Sequence, residues 1–600
     1  MAFGTLLALF GVALTKSPAA WAAAATARTP IEHLIVVIGE NQSFDALFGA
    51  YVPRPGATVN NLLSQGIIDR DGRPGPNFAR AAQRSALPQT RYTLNPPRGP
   101  AYAFLPRPRL TGIQDQHFQE LGRGPDPRFP ADLPNGPYQI TRQLRYPELR
   151  DQAEPTLAGS TARLAVASGD PVHRFFQMWQ QTGGDNALLD LYTWVGITTG
   201  TGGDSSDNSP RDTGQSGEVM GFVNMSAGDA PYFRKLADRY ASSDNYHQAV
   251  MGGTGVNFFA LATADLPVYR RDGQLQAPSP NQIENPDPLP GTDNYYQHDG
   301  FEGGSWVNCA DASQPGVAAI LEVLDRKGVP SRCEPGTFYL VNNNGAGFDR
   351  DGHPQPLGPL NFTAPPQTVP TIAELLHAHG VSWSWYTAGR EAADLTEETG
   401  PGRMSLDAAF RLQYNDLGDP LVASATVMTR PELRAQLRGS SSFQRDVASG
   451  KLPAVSFVTP KNLDSGHPGY SMVASFEAVV KDVVRRVQAN PKLWAHTAIV
   501  ATADESGGYF DSGYIQTLDF FGDGPRVPLW VISPFARPGH VDHVYNDHAS
   551  ILKFIEYNWR LAPLSKRSRD NLPNPVSDPA DPYRPTNGPA VGDLRTLFSF

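Results

Sequence analysis

The stretch His33-Leu-Ile-Val-Val-Ile-Gly-Glu-Asn-Gln-Ser-Phe-Asp-Ala-Leu-Phe-Gly49 decides how the rest of the chain is read. Leu34 to Ile38 is an unbroken apolar, β-branched run of the length of a fully buried strand. It stops at Gly39-Glu40-Asn41, and a helical segment begins at Ser43. In an open α/β sheet the carboxyl end of a buried strand faces the crevice where ligands bind. Glu40 and Asn41 set a carboxylate and a carboxamide there, both hard oxygen donors, beside a helix N-terminus that favours anions. The plainer reading is that Asn41 or Ser43 caps the helix and Glu40 is solvated.

A second strand ends alike. Thr497-Ala-Ile-Val-Ala-Thr-Ala503 delivers Asp504-Glu505, then Gly507-Gly508-Tyr-Phe-Asp511. Adjacent carboxylates in a desolvated crevice repel, and a cation or a proton resolves the conflict. The third piece is Asp244-Asn-Tyr-His-Gln-Ala-Val-Met-Gly-Gly-Thr-Gly-Val-Asn-Phe-Phe259, where Thr254 lies among glycines and Asn257 would share its face if a helix starts there. A threonine hydroxyl becomes a competent nucleophile only beside a base or metal.

Together these pieces resemble the phosphoesterase family, which includes the non-specific phospholipases C and the acid phosphatases of the alkaline-phosphatase superfamily. Glu40-Asn41-Gln-Ser43-Phe44-Asp45 matches the family's E-N-x-S-F-D opening. Thr254-Gly-Val-Asn257 resembles its T/S-x-x-N nucleophile motif, and Asp504-Glu505-Ser-Gly-Gly-Tyr-Phe-Asp511 its acidic loop. Gly524-Pro-Arg526-Val527-Pro528 through Pro534 and Asp547-His548-Ala-Ser550 resemble its downstream G-x-R-V-P and D-H-x-S segments. Many relatives carry histidine after the Asp-Glu pair and after the downstream aspartate, where this chain has Ser506 and Ser512. The acid–base role therefore falls elsewhere, and a plant-type phospholipase assignment is weakened.

The resemblance implies an alkaline-phosphatase-like α/β fold: a mixed, mostly parallel sheet with helices on both faces. It implies one divalent metal held by Glu40, Asn41, Thr254, Asp504 and Glu505. That all-oxygen set suits Ca, Mg or Mn better than a thiolate-seeking ion. Thr254 would attack phosphorus and form a phosphothreonine, while Asn257, with His173 and His247 as further candidates, would bind phosphoryl oxygens. Among 13 histidines, His467 and His548 resemble positions near the metal and are the catalytic candidates for protonating the leaving oxygen. The expected activity is hydrolysis of a phosphate ester or phospholipid, of acid phosphatase or phospholipase C type. Two alternatives stay open: attack by metal-activated water without a covalent intermediate, and a catalytically inactive secreted binding protein on the same fold.

Other enzyme classes find no support. The nearest approach to a G-x-S-x-G elbow, Gly214-Gln-Ser-Gly-Glu218, lacks its last glycine and follows no strand. No H-E-x-x-H is present, and Thr254-Gly-Val lacks the context that matures to formylglycine.

Bulk composition is consistent with this reading. With 40% hydrophobic and 10% aromatic residues the chain is globular, and its formal charge of −10 argues against nucleic acid or an anionic lipid surface as a partner. Residues 1–27 read as a signal peptide, an apolar stretch too short to span a bilayer followed by small-residue cleavage sites, with no Lys or Arg ahead of it. A longer, twin-arginine leader or an uncleaved tether are the alternatives. The expected location is periplasmic or extracellular, with no integral membrane segment in the mature chain, and there Cys309 and Cys333 would pair. The expected organisation is a phosphoesterase domain over residues 28–565, with a Pro/Asn-rich insertion at about 268–365, a mobile loop at 198–217 and a loose, polar tail at 566–600.

Overall fold

The computed structural model describes residues 26–110, 113, 122, 124–146, 168–184, 188–198, 217–289, 296–298, 305–359, 361–391, 394 and 413–600. The signal peptide and the 198–217 loop expected from sequence fall almost wholly outside these residues.

Eight strands form the central sheet: β1 (His33–Gly39), β2 (Ala241–Ser243), β3 (Trp383–Thr387), β4 (Leu437–Arg438), β5 (Val455–Thr459), β6 (Thr497–Ala503), β7 (Leu529–Ile532) and β8 (Val541–Asp542). Their spatial order is β4-β3-β5-β1-β6-β7-β2-β8. Only β7 runs against the others, pairing antiparallel with both β6 and β2. The mixed, mostly parallel sheet expected from the resemblance is therefore present. All seven residues of β6 are buried. Because successive side chains point to opposite faces, full burial means that both faces are covered.

β1 lies at the centre, between β5 and β6, with Gly39 in register with Ala503. The next residue on each strand is an acid, so this register alone brings Glu40 beside Asp504. Helix Val473–Gln488 buries Phe476, Val480, Val483, Val484 and Val487, one apolar stripe at helical spacing. A Cβ at Gly39 would sit 2.7 Å from the Phe476 ring, so glycine lets this helix reach the strand end.

The strand candidate at 337–341 does not join this sheet. Tyr339–Leu340 pairs with Trp306–Val307 in a separate two-stranded piece. The insertion around it carries helix Val317–Lys327 and the Cys309–Cys333 disulfide. It forms a second apolar core in which Val317, Ile320 and Val341 meet Phe175, Met251 and Val256.

The C-terminal segment corrects an expectation. Residues 566–600 do not hang loosely: Val591, Leu594, Leu597 and Phe598 belong to the main core. Arg569 is buried, donating to Asp519, Asp523 and the carbonyls of Ala249 and Gly522. Polar composition concealed this, because few apolar side chains suffice when their spacing matches a groove.

Candidate active site

Three turns converge beyond the carboxyl ends of β1 and β6. The first follows β1. Ser43 caps helix Phe44–Phe48, accepting from Ala46 N, which leaves Asn41 free of capping duty. Asn41 holds a left-handed φ of 58°, a conformation asparagine tolerates and one that concentrates at functional sites. Its backbone N–H donates to Asp504 Oδ1 at 3.1 Å. Its side-chain Nδ2 faces Asp170 Oδ1 at 3.5 Å and His173 Nε2 at 3.4 Å.

The second turn follows β6. Gly507 and Gly508 both have positive φ, and a Cβ on Gly507 would lie 2.8 Å from Asn41, so glycine permits the first two turns to touch. The third turn precedes helix Thr254–Thr263. A Cβ on Gly252 would collide with Val341 O, and Asn257 ties the same turn from within. Asn257 Oδ1 accepts from Val250 N, and its Nδ2 donates to the carbonyls of Val250, Gly252 and Gly253. The buried Thr254 side chain is directed at the Asp504 carboxylate, a contact that opposes the upward pull of burial on that group's pKa.

Glu40, Asn41, Thr254, Asp504 and Glu505 are thus brought together and buried. Burial raises the pKa of Glu40, Asp504 and Glu505, and the Asp504 charge raises Glu40 and Glu505 further. Asn415 and Tyr470 partly oppose this by donating to the two Glu40 oxygens. Asn41 Oδ1, Asp504 Oδ2 and Glu505 Oε1 are all buried without a hydrogen-bond partner. Orphaned buried acceptors call for a partner, and a hard divalent cation fits three oxygens of this kind.

Beside them stand Asp170, His173 and His467, a buried group able to hold a metal ion, whose ligand atoms lie within 4.8 Å of one another. Nδ1 of His173 and of His467 each meets a backbone carbonyl, Pro171 O and Pro468 O. That contact fixes Nδ1 as the protonated nitrogen and leaves Nε2 as a lone pair. Burial pushes the His173 imidazole down to about 4 and His467 to about 3, so both are neutral at rest. Burial lifts the Asp170 carboxyl to about 8 despite the nearby Arg174.

Several sequence-based assignments change here. The Asn257 amide is fully engaged in shaping the turn. His247, expected among the phosphate-binding candidates, has both nitrogens engaged, meeting Gly524 O and Asn245 Oδ1, and its ring stacks on Tyr545 at 4.3 Å. His548 holds no spare proton, because Nε2 meets Asp504 O and Nδ1 pairs with the Tyr246 hydroxyl. Both histidines brace the backbone of motifs. His173 does reach the pocket, from an extended segment just ahead of helix Phe175–Gln181. Asp170, Asn415 and Tyr470 were missed. The Asp170-Pro-Val-His173 spacing could have signalled the first, whereas nothing local marks Asn415.

The remaining motif residues are structural. Arg526, 1% exposed, donates to both oxygens of Asp511 at 2.9 and 3.0 Å, to Asp45 Oδ2 at 3.2 Å and to the carbonyls of Asn60 and Asp244. Its guanidinium also lies over the Phe44 ring. One buried cation therefore joins three motifs that are far apart in sequence.

The Phosphoesterase family matches residues 117–562, most of the chain, and the protein belongs to that family. Non-hemolytic phospholipase C of Burkholderia pseudomallei is 30% identical over 312 residues, 45% of this chain and 41% of the relative. Hemolytic phospholipase C of Pseudomonas aeruginosa is 24% identical over 416 residues, 64% of this chain and 43% of the relative. A probable acid phosphatase of Kluyveromyces lactis is 24% identical over 209 residues, 35% of this chain and 46% of the relative. The chain thus aligns with less than half the length of each of these relatives.

Proposed function

We propose that the protein is an exported, divalent-metal-dependent phosphoesterase of acid phosphatase or phospholipase C type, working through a phosphothreonine at Thr254. The observation that carries this reading is the set of three orphaned, buried oxygens of Asn41, Asp504 and Glu505, with the Thr254 side chain at a helix N-terminus directed at Asp504. Asn41, Asp504 and Glu505, with Glu40 and the Thr254 hydroxyl adjoining, would hold the cation. When bound, it would supply Lewis-acid stabilisation of phosphoryl charge and acidify the threonine hydroxyl.

The chain's own groups account for the remaining steps. Asp504 orients the Thr254 hydroxyl and takes its proton as oxygen attacks phosphorus in line with the leaving oxygen. The amino end of helix Thr254–Thr263 favours the anionic phosphoryl group. His467 takes a proton at Nε2 from solvent as the anionic ester, whose charge favours the imidazolium that burial alone disfavours, settles beside it, and gives that proton to the leaving oxygen. His173 and Asp170, meeting Asn41 Nδ2, hold the Asn41 carboxamide so that Oδ1 faces the carboxylates. Water then attacks the phosphothreonine phosphorus and gives its proton to His467 Nε2, while the P–O bond to Thr254 breaks and Asp504 returns its proton to the Thr254 oxygen. The Cys309–Cys333 disulfide supports an oxidising compartment. No helix among the described residues is long and apolar enough to cross a membrane.

The test is hydrolysis of p-nitrophenyl phosphate and of phosphatidylcholine from pH 4 to 9 with Ca, Mg or Mn, for the wild type and Thr254→Ala. Turnover of either substrate by the wild type, lost in the variant, supports the reading. No turnover of either under any condition overturns it.

A further inference from the structure

Gln248 lies six positions before Thr254 in sequence and is wholly buried. Its carboxamide spans two of the three active-site turns. Oε1 accepts from the backbone N–H of Ser506 at 2.9 Å, immediately after the Asp504-Glu505 pair. Nε2 donates to Val250 O at 2.6 Å, within the turn that presents Thr254, and approaches Gly252 O at 3.5 Å. The backbone of the same residue reaches the Gly524-Pro-Arg526 segment, Gln248 N donating to Pro525 O and Gln248 O accepting from Gly524 N. A Cβ on Gly524 would lie 2.4 Å from Gln248 Cγ, so the Gly524-Pro-Arg526 loop is moulded against this side chain.

We infer that Gln248 is a positioning residue, which sets the distance between the Thr254 hydroxyl and the Asp504–Glu505 carboxylates by bridging their turns with one amide. The assignment rests on the proposed reading of those groups as the working centre. Two further constraints fix the two turns separately. Asn257 shapes the Thr254 turn from its own helix, and Gly507 N–H donates to Glu505 Oε2 within the acidic turn. Besides the Thr254 contact to Asp504, the Gln248 side chain hydrogen-bonds across the gap between them. Glutamine suits that span because it offers an acceptor and a donor at the end of two methylenes. Methionine matches its length without either hydrogen bond. Asparagine keeps both groups but falls one methylene short.

Gln248→Met and Gln248→Asn therefore form the test, read in three ways. kcat should fall roughly 10–100-fold in both, the range that loss of an orienting outer contact produces, with KM within about threefold of wild type. Mn2+ affinity, titrated without substrate, should weaken by about tenfold, because the Asp504–Glu505 turn loses its anchor. Far-UV circular dichroism should be unchanged. Wild-type kcat and Mn2+ affinity in either folded variant would overturn the inference, and so would failure of both variants to fold, which would make Gln248 a purely structural residue. If the wild type binds Mn2+ yet hydrolyses no phosphate ester, the proposed function fails on its own, and the Mn2+ titration still decides the role of Gln248.

Discussion

Replacing Arg526 with methionine should be among the most damaging single changes outside the reactive groups. The guanidinium is fully buried and compensates Asp511 and Asp45, and it also satisfies the carbonyls of Asn60 and Asp244. Removing one partner of a buried ion pair costs about 3–5 kcal/mol, because a charge is left uncompensated. Two orphaned carbonyls add about 1 kcal/mol each or more. A total of about 5–7 kcal/mol is a large share of the roughly 5–15 kcal/mol that holds a typical fold. The loss should depend on pH in a defined direction. Burial holds the Asp45 carboxyl at about 6 even with Arg526 opposing it, and without the guanidinium it must rise further. A carboxyl whose folded pKa exceeds its unfolded one disfavours the fold at high pH, and the penalty is relieved as pH falls through the folded value. The gap between wild type and Arg526→Met should therefore be widest near pH 8 and narrow towards pH 5. Urea unfolding followed by tryptophan fluorescence at both pH values measures it. A gap below about 1 kcal/mol, or one equal at both pH values, refutes the reasoning.

Three further outcomes are expected. Exhaustive chelation should abolish phosphate-ester hydrolysis, and Asp504→Asn should weaken divalent-cation affinity while leaving circular dichroism unchanged; full activity after demetallation contradicts this. Truncation after residue 565 should lower the urea midpoint markedly or leave the protein insoluble, since it removes the Arg569 ion pairs with Asp519 and Asp523 and the core contacts of Val591 and Leu597; an unchanged midpoint would restore the picture of a loose tail. Cys309→Ser with Cys333→Ser opens a loop of sequence separation 24 and should cost about 3 kcal/mol of stability, read in the same unfolding experiment.

The strands that build the site were legible because their apolar runs are long and end sharply. Leu34–Ile38 and Thr497–Ala503 needed no tertiary information, and their shared register follows from adjacency in a parallel sheet. Four of the five candidate oxygen donors, Glu40, Asn41, Asp504 and Glu505, were legible for the same reason, lying directly after buried strands. Histidine roles were not. Sequence gives all four rings the same signature, and only packing separates His247 and His548, each with both nitrogens engaged, from His173 and His467, each with one nitrogen on a backbone carbonyl. Asn257 shows the converse: the motif placed it beside Thr254, but the backbone N–H of Val250 and the carbonyls of Val250, Gly252 and Gly253, in the turn ahead of the helix, engage its amide. Gln248 was quoted among the motif residues without a role, because a bridging amide acquires one only when two distant turns are brought to either end of it.

The central claim, that Thr254 is the attacking atom and not merely a ligand, is tested most directly by trapping. Wild-type protein mixed with a 32P-labelled phosphate ester and quenched in acid during turnover should yield a phosphorylated peptide whose modified residue is Thr254, and Thr254→Ala should yield none. Turnover by the wild type with no covalent phosphate at Thr254, together with inversion at a chiral phosphorus, would contradict the account and make the hydroxyl a metal ligand only.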